Sequence, residues 1–130
     1  MQRTVLKGKI HRATVTQANR NYEGSVTISE NLIDAAGIIK HVQANFWDVT
    51  NGARLTTYAI RGGQGSEVIC INGAGAHRVQ KGDIVIIAAF VQVTEDEANA
   101  WQPSVVFVDS HNRTRAIGKK EQTQSDMPPR

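Results

Sequence analysis

The run DIVIIAAFVQV, residues 83–93, is the feature that most restricts the fold of this 130-residue chain. Apolar residues occupy both sets of alternate positions, so a strand formed here would bury both of its faces. A strand of that kind lies at the centre of a sheet or inside a closed barrel. The run therefore predicts an all-β core that is built around it.

Further β-branched runs precede and follow this central strand. They are TVLKGKIHRATVTQ (4–17), SVTIS (25–29), NFWDVTNGARLTTYAI (45–60), SEVICIN (66–72) and PSVVFVDS (103–110). In the third run, Asn51-Gly52 predicts a hairpin with a type I′ turn, which requires positive φ at both central residues. About six short strands in a chain of this length are typical of a compact barrel or sandwich.

One or two short helices are predicted between the strands. In SENLIDAAG (29–37), Ser29 is the expected N-cap and Gly37 the expected stop. The segment EDEANAW (95–101) predicts a further helical turn. The sequence as a whole is thus all-β with minor helical content.

The composition is that of one soluble globular domain, with 40% hydrophobic and 21% charged residues. No apolar run reaches the length of a membrane span, and MQRTVLKGKIHR at the N-terminus lacks the apolar segment of a signal peptide. Cys70 is the single cysteine, so it cannot form an internal disulfide, which fits a reducing compartment. We therefore expect a cytoplasmic protein without a membrane partner.

The net charge of +3 comes from the C-terminal end. Residues 111–130 carry five basic and two acidic side chains, whereas residues 1–110 carry ten of each. We expect residues 1–112 to form one domain and the polar segment 113–130 to be a flexible basic tail. A non-catalytic barrel that binds nucleic acid or a protein partner through this tail stays open as an alternative. Nucleic acid is not the expected partner, because none of the seven aromatic residues lies among the basic residues of the tail.

No residue pattern identifies a metal site or a bound cofactor. The four histidines, His11, His41, His77 and His111, lack the spacing of metal ligands, and a second cysteine is absent. Neither a G-x-S-x-G elbow nor a Walker-type phosphate loop occurs. The segment NGAGA (72–76) suits either a tight β-turn or a loop whose backbone N–H groups approach an anionic ligand.

Six short motifs follow one another in order between residue 1 and about residue 110. They are KGKIHR (7–12), YEGS (22–25), DAAGI (34–38), VTNGARLTTYAI (49–60), INGAGAH (71–77) and GDIVIIAAF (82–90). Together they resemble the aspartate 1-decarboxylase family, whose pyruvoyl-dependent members make β-alanine for pantothenate biosynthesis. Val26 is a departure, since some members have cysteine at this position.

The resemblance implies a small double-psi β-barrel and a homotetramer whose sites are shared between neighbouring subunits. It also implies a chemical role for Gly24-Ser25, which taken alone is an ordinary turn signal. The family cuts its chain between the matching residues, here into fragments 1–24 and 25–130. The serine hydroxyl attacks the preceding carbonyl, and Ser25 ends as a pyruvoyl group that replaces pyridoxal phosphate as the electron sink. Autonomous maturation and maturation with a helper protein both stay open.

The resemblance further implies the substrate-binding and catalytic residues. L-Aspartate has two carboxylates, and Arg54 and Lys9 are the candidate cations that would bind them. The pyruvoyl group would form a Schiff base with the substrate amine, and Tyr58 would return a proton after CO2 leaves. The residues expected to line the substrate are Thr57, Asn72, Gly73, Ala74 and Gly75.

Strand alternation agrees with only part of this site. Arg54, Thr56 and Tyr58 should share one face of their strand, which fits a joint role. Thr57 should point to the opposite face, although the matching family residue bonds at the cleavage site. A bulge, a strong barrel twist or a neighbouring subunit could bring these residues together.

Overall fold

A computed structural model describes residues 1–21, 24–63 and 65–118, which form nine strands and two short α-helices. The strands are β1 (Gln2–Thr14), β2 (Gln17–Asn19), β3 (Ser25–Ile28), β4 (Gln43–Asp48), β5 (Arg54–Arg61), β6 (Ile69–Asn72), β7 (Ile84–Thr94), β8 (Ser104–Val108) and β9 (Thr114–Gly118). The helices are α1 (Glu30–Ala35) and α2 (Glu95–Asn99), and a 3-10 helix spans Gly73–His77. The predicted all-β fold with short helices is confirmed.

The described strands form one sheet in the order β2-β6-β3-β5-β4-β7-β1-β8-β9. Strand β7 pairs antiparallel with both β1 and β4, so the long apolar run lies inside the sheet, as its two apolar faces predicted. The pairs β1–β8, β2–β6 and β3–β5 are parallel and join strands that are distant in sequence. This topology is that of a small mainly-β barrel.

The core follows from the alternation of residues in the short strands. In β3 and β6, Val26, Ile28, Ile69 and Ile71 are at most 1% exposed and belong to one buried cluster. Burying a large apolar side chain of this kind stabilises the fold by about 1.5–3 kcal/mol. The residues at the alternate positions of both strands are polar or carry a thiol, and they project from the other face.

Strand β1 departs from simple alternation where its register with β7 shifts, first between Leu6 and Gly8. A Cβ on Gly8 would lie 1.8 Å from the Ala36 carbonyl oxygen, so only glycine fits this approach. After this shift, β1 is flanked by β7 and β8, and Lys9 is only 7% exposed. Lys9, which was expected to bind substrate, is thus a buried residue on a strand that has a partner on each side.

The Asn51-Gly52 hairpin joins β4 to β5 as predicted, but its turn is not type I′. Only Gly52 of the pair has a positive φ, of 82°. Asp48 Oδ1 accepts hydrogen bonds from the backbone N–H groups of Thr50 and Asn51, at 2.9 and 3.1 Å. The carboxylate therefore holds a longer loop than the two-residue turn that the dipeptide predicts.

Both predicted helices are present. Helix α1 begins after Ser29, whose side chain makes no capping bond, and the chain leaves it at Gly37 with φ +68°. Helix α2 has a capping box, in which the side chains of Thr94 and Glu97 each accept a hydrogen bond from the other's backbone N–H. No helix in the described part of the chain is long and apolar enough to cross a membrane.

The C-terminal boundary differs from the expected one. Residues 114–118 form β9 against β8, so the prediction of a flexible tail from residue 113 is wrong for this strand. The segment that leads into β9 is held to the rest of the protein by the side chain of Asn112. Its Nδ2 donates to the carbonyls of Thr14 and Glu67, and its Oδ1 accepts from Thr14 N–H. The rest of the predicted tail, residues 119–130, lies outside the described residues.

Candidate active site

A pocket of about 440 Å³ opens beside the start of β3. It is lined by Gly24, Arg54, Leu55, Thr56, Thr57, Ile71, Asn72, Ala74, Gly75 and Arg78. Gly24 is exposed whereas Ser25 is 1% exposed, so the bond between them leads from the pocket surface into the interior. A larger pocket of about 660 Å³ lies beside β2 and does not include this bond. The smaller pocket therefore combines the predicted cleavage bond with several predicted substrate residues.

Strand register explains why the bond lies at this pocket. Strand β3 begins at Ser25, which pairs antiparallel with Asn72 at the end of β6. On the other side, Val26 pairs in parallel with Ala59 of β5. Residues 54–57 of β5 therefore lie ahead of the start of β3, and in the described structure they pair only with β4. The unpaired edge of β5 and the end of β6 form the walls of the pocket.

Thr57 lines the pocket although alternation predicts that it faces away from Arg54. Leu55, Thr56 and Thr57 are consecutive lining residues, and the β4–β5 register is continuous over this stretch. A bulge in this strand pair is therefore not the reason. The pocket runs along the edge of β5, where residues of both faces are accessible.

The Ser25 hydroxyl is held by the side chain of Asn72. Asn72 Nδ2 donates to Ser25 Oγ at 2.9 Å and to Thr27 Oγ1 at 3.2 Å. Asn72 Oδ1 accepts from the thiol of Cys70 at 3.2 Å. An amide N–H directed at Ser25 Oγ can stabilise negative charge when the hydroxyl loses its proton. The site thus contains a serine oxygen with a donor already in place.

Gly24 is not required by packing. No described atom lies within 4 Å of the position that a Cβ would take, and its φ lies outside the left-handed region. Because Gly24 is exposed at the pocket, the missing side chain instead leaves its carbonyl carbon accessible. This arrangement suits attack on the carbonyl of Gly24.

Among the described residues, two arginines and no carboxylate line the pocket. The Arg54 guanidinium lies over the Trp47 ring, 4.6 Å from its centroid, which restrains its plane. Arg78 was not predicted as a site residue. It follows the 3-10 helix, and its carbonyl oxygen accepts a hydrogen bond from Asn51 Nδ2 at 2.7 Å. Its position directly after the INGAGAH motif was the only available signal. The two cations favour an anionic ligand with more than one acidic group.

Lys9, Tyr58 and Gly73 do not line this pocket within one chain. Lys9 lies in β1, and Tyr58 is 37% exposed on β5. Gly73, with φ +69°, begins the 3-10 helix that carries Ala74 and Gly75 to the pocket, so NGAGA is not a simple β-turn. The described residues bring together no group of three or more His, Cys, Asp or Glu that could hold a metal ion.

Comparison with known proteins identifies the family of this chain. The family model for aspartate decarboxylase matches residues 1–115. The aspartate 1-decarboxylase of Myxococcus xanthus is 55% identical over 113 residues, covering 87% of this chain and 87% of that protein. The enzyme of Xanthomonas campestris pv. campestris is 53% identical, covering 86% of this chain and 89% of that protein. The enzyme of Corynebacterium efficiens is 52% identical, covering 91% of this chain and 87% of that protein. The chain therefore belongs to the aspartate decarboxylase family.

Proposed function

We propose that this chain decarboxylates L-aspartate to β-alanine and CO2 for pantothenate biosynthesis, with a pyruvoyl group made from its own Ser25. Relatives that are 52–55% identical and named aspartate 1-decarboxylase support the reaction. The observation that carries the proposal is the place of the Gly24–Ser25 bond. The bond begins at Gly24, which lines a pocket with two arginines, and its serine hydroxyl accepts an amide hydrogen bond.

The first reaction is cleavage of the chain itself. Ser25 Oγ attacks the Gly24 carbonyl carbon, the C–N bond breaks, and the released nitrogen takes up the hydroxyl proton, which leaves an ester. Loss of the Ser25 Cα proton then breaks the Cβ–Oγ bond and releases Gly24 as a carboxylate. The resulting dehydroalanine takes up one water and loses ammonia, so that residue 25 becomes a pyruvoyl group.

Side chains of the pocket would assist this cleavage. Asn72 Nδ2 already donates to Ser25 Oγ and would stabilise the charge that develops on it. Thr57 lines the pocket together with Gly24, and it is our candidate for a hydrogen bond to the Gly24 carbonyl oxygen. The uncovered carbonyl of Gly24 gives the nucleophile room to approach.

The pocket fits a pyruvoyl group at residue 25 because the preceding residue, Gly24, lines a space with two arginines that is suited to a dicarboxylate. Once formed, the group supplies a ketone that accepts the electron pair released as CO2 leaves. Arg54 would bind one substrate carboxylate as a bidentate fork, with its plane restrained by Trp47. Arg78 would add a second cation, and the backbone at Ala74 and Gly75 would complete the wall.

We further propose a homotetramer in which a neighbouring subunit completes the pocket. Tyr58 supports this, because it is 37% exposed on the strand that forms the pocket wall but does not line the pocket within one chain. At a subunit boundary its phenol could return a proton to the substrate carbon. For Lys9 as a substrate cation, the family resemblance is the only support.

Intact mass spectrometry of the freshly purified protein tests the proposal. Two fragments, 1–24 and 25–130, are expected, and the larger should be lighter than a serine-ended chain by the mass of ammonia. Ser25→Ala should abolish both cleavage and β-alanine formation. Ser29→Ala is the matched control, because Ser29 is also buried, at 2% exposure, but its side chain makes no capping bond.

A chain that stays full length, alone and with cell extract, would contradict the proposal, as would turnover by Ser25→Ala. The arm with extract also tests the need for a helper protein. Cytoplasmic location stays a prediction. No observation on the described residues favours the non-catalytic alternative, whose basic tail lies largely beyond residue 118.

A further inference from the structure

Ser25, Thr27, Cys70 and Asn72 share one face of the β3–β6 ladder, and we call them the polar quartet. Ser25 pairs with Asn72 and Thr27 pairs with Cys70, so all four side chains project to the same side. The residues between them are apolar and join the core. Ser25, Cys70 and Asn72 are 1%, 6% and 6% exposed, so hydrogen bonds within the quartet compete little with water.

The other three members of the quartet satisfy the Asn72 amide. Its Nδ2 donates to the Ser25 and Thr27 hydroxyl oxygens, and its Oδ1 accepts from Cys70 Sγ. With the amide turned over, Nδ2 would face only sulfur, which is a weak acceptor. The thiol therefore distinguishes the two orientations, because it can donate to oxygen but accepts poorly from nitrogen.

The orientation of the amide decides the state of the Ser25 hydroxyl. With Nδ2 directed at it, Ser25 Oγ is an acceptor, and the amide stabilises the charge that appears as the hydroxyl proton leaves. With the amide reversed, Oδ1 would accept a hydrogen bond from the Ser25 hydroxyl and so stabilise its protonated form. Only the first orientation favours attack on the Gly24 carbonyl.

We infer that Cys70 is a positioning residue for chain cleavage, whose S–H group holds Asn72 with Nδ2 toward Ser25 Oγ. The inference rests on the proposed function, since it concerns the same Gly24–Ser25 bond. Burial raises the pKa of the Cys70 thiol and so preserves the S–H donor. The only other acceptor described for this thiol, the Ile71 carbonyl oxygen, is farther away, at 3.9 Å against 3.2 Å for Asn72 Oδ1.

The test uses the complete 130-residue protein. After a pulse of synthesis, intact mass spectrometry measures the fraction of molecules that have been cleaved. Cys70→Ala and Cys70→Val remove the donor, and the valine variant also keeps the buried volume filled. Cys70→Ser restores a hydroxyl donor. Loss of one positioning hydrogen bond should slow cleavage about tenfold in the alanine and valine variants, whereas serine should stay within about threefold of the wild type.

Ile69→Val is the matched control, because Ile69 is the neighbour of Cys70 on β6 but faces the core. It should lower Tm without slowing cleavage, and Tm is measured for every variant. The inference is overturned if the alanine and valine variants cleave at the wild-type rate, if serine is as slow as valine, or if Ile69→Val is equally slow. A wild-type chain that never cleaves would overturn the proposed function itself, so the two failures are distinguishable.

Discussion

Replacing Asp48 by asparagine should stabilise the protein at neutral pH. Asp48 is 2% exposed, and its Oδ1 accepts two backbone N–H groups of the hairpin loop. Its Oδ2 is buried and has no hydrogen-bond donor among the described residues. Burial, followed by the neighbouring Asp83 carboxyl, raises the pKa of Asp48 to about 6. The ionised form is therefore an unfavourable state of the folded protein.

The sign of the effect follows from this raised pKa. The folded state binds the Asp48 proton more tightly than the unfolded state, so stability falls as pH rises from about 4 to about 6. The change from the ordinary value of 3.8 to about 6 corresponds to about 3 kcal/mol. Asparagine keeps the Oδ1 acceptor, carries no charge and offers an N–H group to Asp83. We expect Asp48→Asn to gain about 1–3 kcal/mol at pH 8 and little at pH 4.

Thermal unfolding between pH 4 and pH 8, at equal protein concentration, measures this gain. The expected rise in Tm at pH 8 is about 3–10 °C for a domain of this size. Asp109→Asn is the matched control, because Asp109 also accepts two loop N–H groups but these lower its pKa. The control should not stabilise the protein at pH 8. An Asp48→Asn variant with unchanged or lower Tm at pH 8 would refute the reasoning.

Three other substitutions test the cleavage bond, the pocket and the C-terminal anchor. Gly24→Ala should keep its Tm, since a Cβ at this position meets no described atom within 4 Å. Its cleavage, followed by intact mass, should be slower than that of the wild type. Cleavage at the wild-type rate would show that an uncovered carbonyl is unnecessary. Arg78→Ala should cleave normally but raise KM for L-aspartate several-fold, and an unchanged KM would exclude Arg78 as a substrate cation. Asn112→Ala should lower the free energy of unfolding, measured by denaturant titration, by about 3 kcal/mol. The substitution removes three hydrogen bonds at a buried residue with φ +62°. A loss below about 1 kcal/mol would contradict this.

Local patterns predicted the strands that carry the core. The apolar run of β7 indicated an interior strand, and β7 indeed has a partner on each side. The runs SVTIS and SEVICIN were predicted as strands, and they contain β3 and β6. These predictions succeeded because residue periodicity and strand geometry are both short-range properties of the chain.

The same patterns failed where distant groups meet. The predicted type I′ turn is not formed, because the Asp48 carboxylate accepts hydrogen bonds from N–H groups of a longer loop. The Asn-Gly pair does not indicate this interaction. Arg78 was overlooked because only the fold of the 3-10 helix brings it to the pocket.

By itself, the sequence determined the strand-rich class and the family, and it indicated Gly24-Ser25 as the pair that we propose is cleaved, since motifs and alternation are written along the chain. The tertiary structure alone decided which side chains surround that pair. Ser25 and Asn72 are 47 residues apart in sequence, and they meet only because β3 and β6 pair in one particular register. A shift of one residue would turn Asn72 to the opposite face, so the site depends on strand pairing, which local sequence does not specify.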